Sequence, residues 1–236
     1  MQQGYEETVS CFNGNIPVVL SAHHDGWLTS LDGNELPVLR DVGNDEGTRR
    51  LVWLVFRLMK QMYGMRPYTL VHKVKKDRSS EEMLTVYIEE IFSLIRHCLE
   101  KWGLCYVLDV HRFYKHPEFV GEMVQNNYDI WLGTGHRASI RGDFDKKFAA
   151  SLSFAFEEHC GRKLGVYVPD EEERAGERFG ATGKHGGRRI ITKLISEEFR
   201  DRPINAVQIE FYKDLLAPDE RIKSAIALSE AIAINI

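Results

Sequence analysis

The run Leu104-Cys105-Tyr106-Val107-Leu108-Asp109-Val110-His111-Arg112 decides how this chain is read. Its apolar start shows no alternation, which suits a strand covered on both faces. Its polar end, Asp-x-His-Arg, lies where such a strand leaves its sheet. Similar short apolar runs occupy residues 17–22, 68–72, 128–132, 164–168 and 206–211, each with turn residues around it. Helical patterns lie between them. Leu84, Tyr87, Ile88, Ile91, Leu94, Ile95, Cys98 and Leu99 recur at three and four residues, behind a capping box of Ser79 and Glu82. Residues 144–160 and 219–234 repeat the pattern, and 46–62 more loosely. Strands alternating with helices predict an α/β sheet between helical layers, with its binding crevice outside the carboxyl ends of the strands.

Those carboxyl ends are rich in reactive side chains. The first strand leads into Ser21-Ala22-His23-His24-Asp25-Gly26, the third ends in Asp109-Val110-His111-Arg112, and the last carries Gln208-Ile209-Glu210. Two strand ends each supply an imidazole. Neutral imidazoles with a carboxylate are the set that binds Zn²⁺ while leaving a position for water, so His24 and His111 are the expected metal ligands. The stretch 40–47 offers Asp41, Asp45 and Glu46 as the acidic ligand. Glu46 is the expected one, because it opens the helix beside the first strand; Asp41 and Asp45 stay open. Adjacent strand residues face opposite ways, which sets His23 apart from His24. Asp109 either orients an imidazole or turns away. A carboxylate in the apolar strand 206–211 is costly unless paired or functional, which marks Glu210 as a general base.

Two basic groups accompany these residues. Residues 73–78 come directly after the second strand and offer Arg78 for bidentate grip of a substrate carboxylate. The Gly-rich run 179–189 lacks P-loop spacing, since Arg178 stands where a Gly is needed and His185 comes after Lys184. It reads as a flap that brings His185 or Arg188 to the substrate. Arg112, or an Arg of that flap, is the expected cation for a developing oxyanion.

Composition bounds the rest. The 236 residues carry 31 Lys and Arg against 35 Asp and Glu, a net charge of −4, so no basic field captures nucleic acid. The longest apolar run, 51–56, is far short of the ~20 residues that cross a bilayer. The first ten residues, MQQGYEETVS, read as no secretory signal. Cys11, Cys98, Cys105 and Cys160 form no C-x-x-C pair, which fits a reducing cytoplasm. With no linker or repeat visible, one domain over 1–236 is expected.

In order along the chain, these pieces resemble the N-formylglutamate amidohydrolase family, relatives of the zinc carboxypeptidases and zinc peptidoglycan amidases. The family's P-H-x-G turn is matched by His23-His24-Asp25-Gly26, its D-x-x-x-D-E-like stretch by 41–46, and its D-x-N-R-like segment by Lys76-Asp77-Arg78. Its D-x-H strand end is Asp109-Val110-His111, its G-G loop is Gly186-Gly187, and its Q-x-E strand is Gln208-Ile209-Glu210, with Leu215 in the trailing segment. The similarity runs over roughly residues 15–216. The chain departs from the pattern at His23, where the family has Pro, at Asp25, where it has Ser, and at the missing Asn of D-x-N-R. The resemblance implies a three-layer α/β/α sandwich with a mixed, mostly parallel sheet (phosphorylase/hydrolase-like). It also implies one Zn²⁺ and hydrolysis of an amide bond in a small N-acyl amino acid with a carboxylate. Rival expectations are a metallopeptidase or phosphoester hydrolase on the same site, and a non-catalytic relative that binds without turnover. Neither nucleic acid nor membrane is an expected partner, and oligomeric state is not legible in these patterns.

Overall fold

A computed structural model describes residues 6–31, 33–36, 38, 45–113, 128–134, 139–168 and 198–236. Its strands are β1 (Val9–Phe12), β2 (Val18–Ala22), β3 (Ser30–Leu31), β4 (Asn34–Glu35), β5 (Tyr68–His72), β6 (Cys105–Phe113), β7 (Ile130–Gly133), β8 (Val166–Tyr167) and β9 (Ile204–Tyr212). The helices are α1 (Thr48–Tyr63), α2 (Glu81–Trp102), α3 (Phe144–Cys160) and α4 (Pro218–Asn235).

Seven strands form one mixed sheet in the order β1-β5-β2-β6-β9-β7-β8. The four central strands, β5, β2, β6 and β9, run parallel, β7 opposes β9 with β8 beside it, and β1 pairs antiparallel to β5. Both faces are covered. On one, α1, α3 and α4 bury Leu51, Val55, Phe148, Phe156, Leu228 and Ile232 against Leu20, Leu108, Val110 and Ile209. On the other, α2 lays Tyr87, Ile91, Ile95 and Cys98 on Val19, Leu70, Val107 and Ala206. Period-two alternation along each strand sends its odd and even residues into these two cores. The α/β/α sandwich and its mostly parallel sheet are therefore as the sequence implied.

Several details differ. The α2 N-cap is Ser80, whose Oγ accepts from Met83 N at 3.3 Å, while Ser79 Oγ donates to the carbonyl of Lys75. Strand β1, a half-buried edge of four residues, and the β3–β4 ribbon carry too little apolar pattern to be read in advance. Strands β6 and β9 run on to Phe113 and Tyr212, so the polar residues at their ends are held within the ladder. Among the described residues, no helix is long and apolar enough to cross a membrane.

Candidate functional site

Register brings the polar residues together. Ser21, Asp109 and Gln208 are partners across β2, β6 and β9, and His111 and Glu210 form the next rung. Alternation puts all of them on the α2 face, at the carboxyl end of the parallel strands. Asp109 is fully buried. Its Oδ1 accepts from Ser21 Oγ at 2.7 Å, and its Oδ2 lies 2.8 Å from His111 Nε2. These contacts assign Asp109 the orienting place beside an imidazole.

The second imidazole arrives from the turn after β2. The chain bends at His24, and Asp25 Oδ2 accepts from the backbone N–H of Gly47 at 2.9 Å and of Arg49 at 3.0 Å. Asp25 thus satisfies the exposed donors at the head of α1, a task that helix ends impose. The N–H of Asp45 donates to His24 O at 2.9 Å. The turn and the α1 entry are in this way tied side by side. Asp45 Oδ2 lies 3.3 Å from His24 Nδ1 and 3.2 Å from His111 Nδ1, and Lys76 Nζ donates to its other oxygen at 3.2 Å. Across the rung, Glu210 Oε1 lies 4.0 Å from the same His111 nitrogen, and accepts from Gln208 Nε2 at 2.6 Å.

Expectation and placement part at two residues and need qualifying at two more. Glu46 is not with the imidazoles: its side chain is 77% exposed and faces Arg112 at 3.6 Å. Gly47, at φ 97°, is left-handed, so α1 begins at Thr48 and Glu46 stays in the preceding turn. The carboxylate that faces both imidazoles is Asp45. Arg112 is the second correction. It lies between His111 and Phe113 in β6, so alternation turns it to the opposite face, where Nη1 donates to Glu46 O at 3.2 Å. Arg78 pairs with Glu35 Oε1 at 3.1 Å and donates to Leu36 O, pinning the β3–β4 ribbon. His23 joins the cluster after all. Strand β2 stops at Ala22, and the ring centroid of His23 lies 3.5 Å from that of His24 and 4.6 Å from that of His111. Asp41, His185 and Arg188 lie outside the described residues.

Charge depends on burial and partners. Burial lowers His23, and with help from its neighbour lowers His24 well below the usual imidazole value. Burial opposes ionisation of Asp45 and Asp109 too, yet the facing imidazoles hold both carboxyls below their ordinary range. His111 goes the other way: despite burial, the carboxylates of Asp109 and Glu210 raise it well above the usual value. Glu210 is pushed up by burial to about 7, against the pull of His111. Among the described residues, His23, His24 and His111 form a group whose ligand atoms lie within 4.8 Å of one another. Two buried imidazoles and one partly buried, with the Asp45 carboxylate facing two of them, make a donor set suited to a divalent ion of the zinc kind.

No family model matches the chain, and no curated protein matches it. Solved structures match over nearly its whole length. With N-formylglutamate amidohydrolase from Ralstonia eutropha JMP134 the TM-score is 0.57 at 12% identity, covering 96% of this chain and 98% of that one. With a gene product of Agrobacterium tumefaciens it is 0.53 at 15% identity, covering 97% and 93%. This chain has their fold. The chain therefore adopts the fold implied by the motif order, and the His24 turn, the Asp109-x-His111 strand and the Gln208-x-Glu210 strand meet at one end of its sheet.

Proposed function

We propose that the chain is a metal-dependent amidohydrolase acting on a small N-acyl amino acid with a carboxylate, such as N-formyl-L-glutamate. One observation carries this reading: a single oxygen, Asp45 Oδ2, meets Nδ1 of both His24 and His111, with Glu210 4.0 Å from the latter. His24, Asp45 and His111 would hold the ion, Zn²⁺ or a similar divalent metal. Such an ion supplies Lewis acidity and lowers the pKa of water. The chain's own groups do the rest. Asp109 engages His111 at Nε2, which directs the lone pair to Nδ1. Gln208 fixes one oxygen of Glu210 through its amide N–H, and the Glu210 carboxylate takes and returns a proton. Lys76 restrains the outer oxygen of Asp45.

Elemental analysis of protein purified without chelator tests the centre. About one divalent ion per chain is expected, falling to less than about a tenth in His24→Ala and Asp45→Ala, since each removes a ligand. Wild-type protein that neither retains nor takes up an ion would remove the reading.

Arg78 is the proposed anchor for the substrate carboxylate, exchanging Glu35 for it. Arg78 is 17% exposed but Glu35 is 77% exposed, and a pair open to solvent through one partner is worth only about 0.2–1 kcal/mol. Glu35→Ala therefore lowers KM for N-formyl-L-glutamate by about two- to fivefold by removing the competing carboxylate. Arg78→Ala raises KM by about tenfold or more, with kcat little changed, because a charged hydrogen bond is lost. If KM is flat in both variants, Arg78 serves the β3–β4 ribbon alone.

A further inference from the structure

A metal centre of His24, Asp45 and His111 uses two imidazoles and leaves a third beside them without a task. His23 is buried, 7% exposed, on the same side of the sheet as His111, and Tyr87 of α2 packs against it at 5.8 Å between centroids. Its Nδ1 faces Asp109 Oδ1 at 3.4 Å, while Asp109 Oδ2 holds Nε2 of His111 at 2.8 Å. One carboxylate thus addresses a ring nitrogen of each of two histidines. A carboxylate that accepts one ring N–H leaves the lone pair on the other nitrogen, which is how ligating histidines are oriented. In His111 that other atom is Nδ1, the one facing Asp45; in His23 it is Nε2. The three rings of His23, His24 and His111 offer ligand atoms within 4.8 Å of one another.

We propose that His23 is a third imidazole ligand, so that the ion is held by His23, His24, His111 and Asp45. The inference rests on the metal-binding reading and narrows it. Four protein ligands fill the tetrahedron in which a catalytic zinc keeps one position for water. Such a set would suit an imidazole-accepting ion that takes five or six ligands readily, such as Fe²⁺, Co²⁺ or Ni²⁺, at least as well as Zn²⁺. Asp109 becomes a common support for two ligands.

The experiment loads the full chain with Co²⁺, counts imidazoles by X-ray absorption, and measures affinity by chelator competition. Wild type gives three imidazoles. His23→Gln, which keeps a donor for Asp109, gives two and weakens Co²⁺ binding on the order of 100-fold, at the upper end of what losing a mere supporting contact costs. A wild-type count of two, with His23→Gln affinity unchanged and His24→Ala unable to bind, overturns the role of His23 and leaves the proposed hydrolase intact. Failure of wild type and every variant to bind Co²⁺ overturns both. Should His23→Gln not fold, as judged by circular dichroism, the wild-type count decides alone.

Discussion

Gly26→Ala lowers stability by about 3 kcal/mol or more and loosens the turn that carries His23 and His24 with it. A Cβ built on Gly26 falls 1.8 Å from the carbonyl oxygen and 2.1 Å from the carbonyl carbon of Val74, both backbone atoms that no side-chain rotation can clear. The contact is close because two backbone segments run together there. The N–H groups of Trp27 and Leu28 both donate to Lys73 O, at 2.7 and 2.8 Å, and Lys75 N returns a bond to Leu28 O at 3.1 Å. One of these segments carries His23 and His24, and the other leads to Lys76. Forcing them apart breaks these bonds at the upper end of overpacking costs, about 1–3 kcal/mol or occasionally more. For a chain of this size that is roughly a 10 °C fall in melting temperature. Gly64→Ala is the control: nothing lies within 4 Å of its added Cβ, and only the left-handed backbone resists, at about 1–2 kcal/mol. Thermal melts and Co²⁺ competition on both variants check this. A Gly26→Ala protein that melts with wild type and binds metal as tightly would mean that the two segments part freely.

That close approach is not legible in the sequence, and the reason is general to this site. The apolar runs announce β2, β5, β6 and β9 because burial on both faces leaves little room for polar residues. They thereby place Asp109, His111 and Glu210 at strand ends, whereas the adjacency of β6 and β9 and the register that pairs His111 with Glu210 are set by packing in three dimensions. Inference fails at turns. Preferring Glu46 over Asp45 starts the helix too early, although Gly47 between Glu46 and Thr48 is the residue that adopts a left-handed conformation there. Setting His23 apart from His24 applies an alternation rule that ends with the strand at Ala22. Placing Arg112 at an oxyanion makes the opposite error, since the rule still holds inside a strand that continues to Phe113. Arg78 is conspicuous in sequence for its charge, but a partner 43 residues away, Glu35, is visible only in three dimensions.

Glu210→Gln is expected to lower kcat on N-formyl-L-glutamate by about 10²–10⁴-fold, the usual worth of a positioned proton acceptor, while metal content stays at the wild-type level. The amide keeps the size of the carboxylate and can still meet Gln208, but it cannot take a proton. The same variant carries a second, independent signature in the metal-free protein. Burial holds the Glu210 carboxyl at about 7, above its ordinary value, even though His111 pulls it down; in the unfolded chain it returns to about 4.3. Between those values the folded state keeps a proton that the unfolded state has lost, so stability falls as pH rises through the window. The cost is absent below about pH 4 and complete above about pH 8, where it amounts to about 4 kcal/mol. Gln carries no such cost. In chelator, the stability of Glu210→Gln relative to wild type therefore grows between about pH 5 and 7.5, and denaturant unfolding at several pH values measures it. A bound divalent ion nearby favours the ionised carboxylate, so the gap shrinks when metal is restored. Loss of turnover without this pH-dependent gap would place Glu210 in the reaction but not in the buried environment described for it; a flat gap with full turnover would take it out of the reaction altogether.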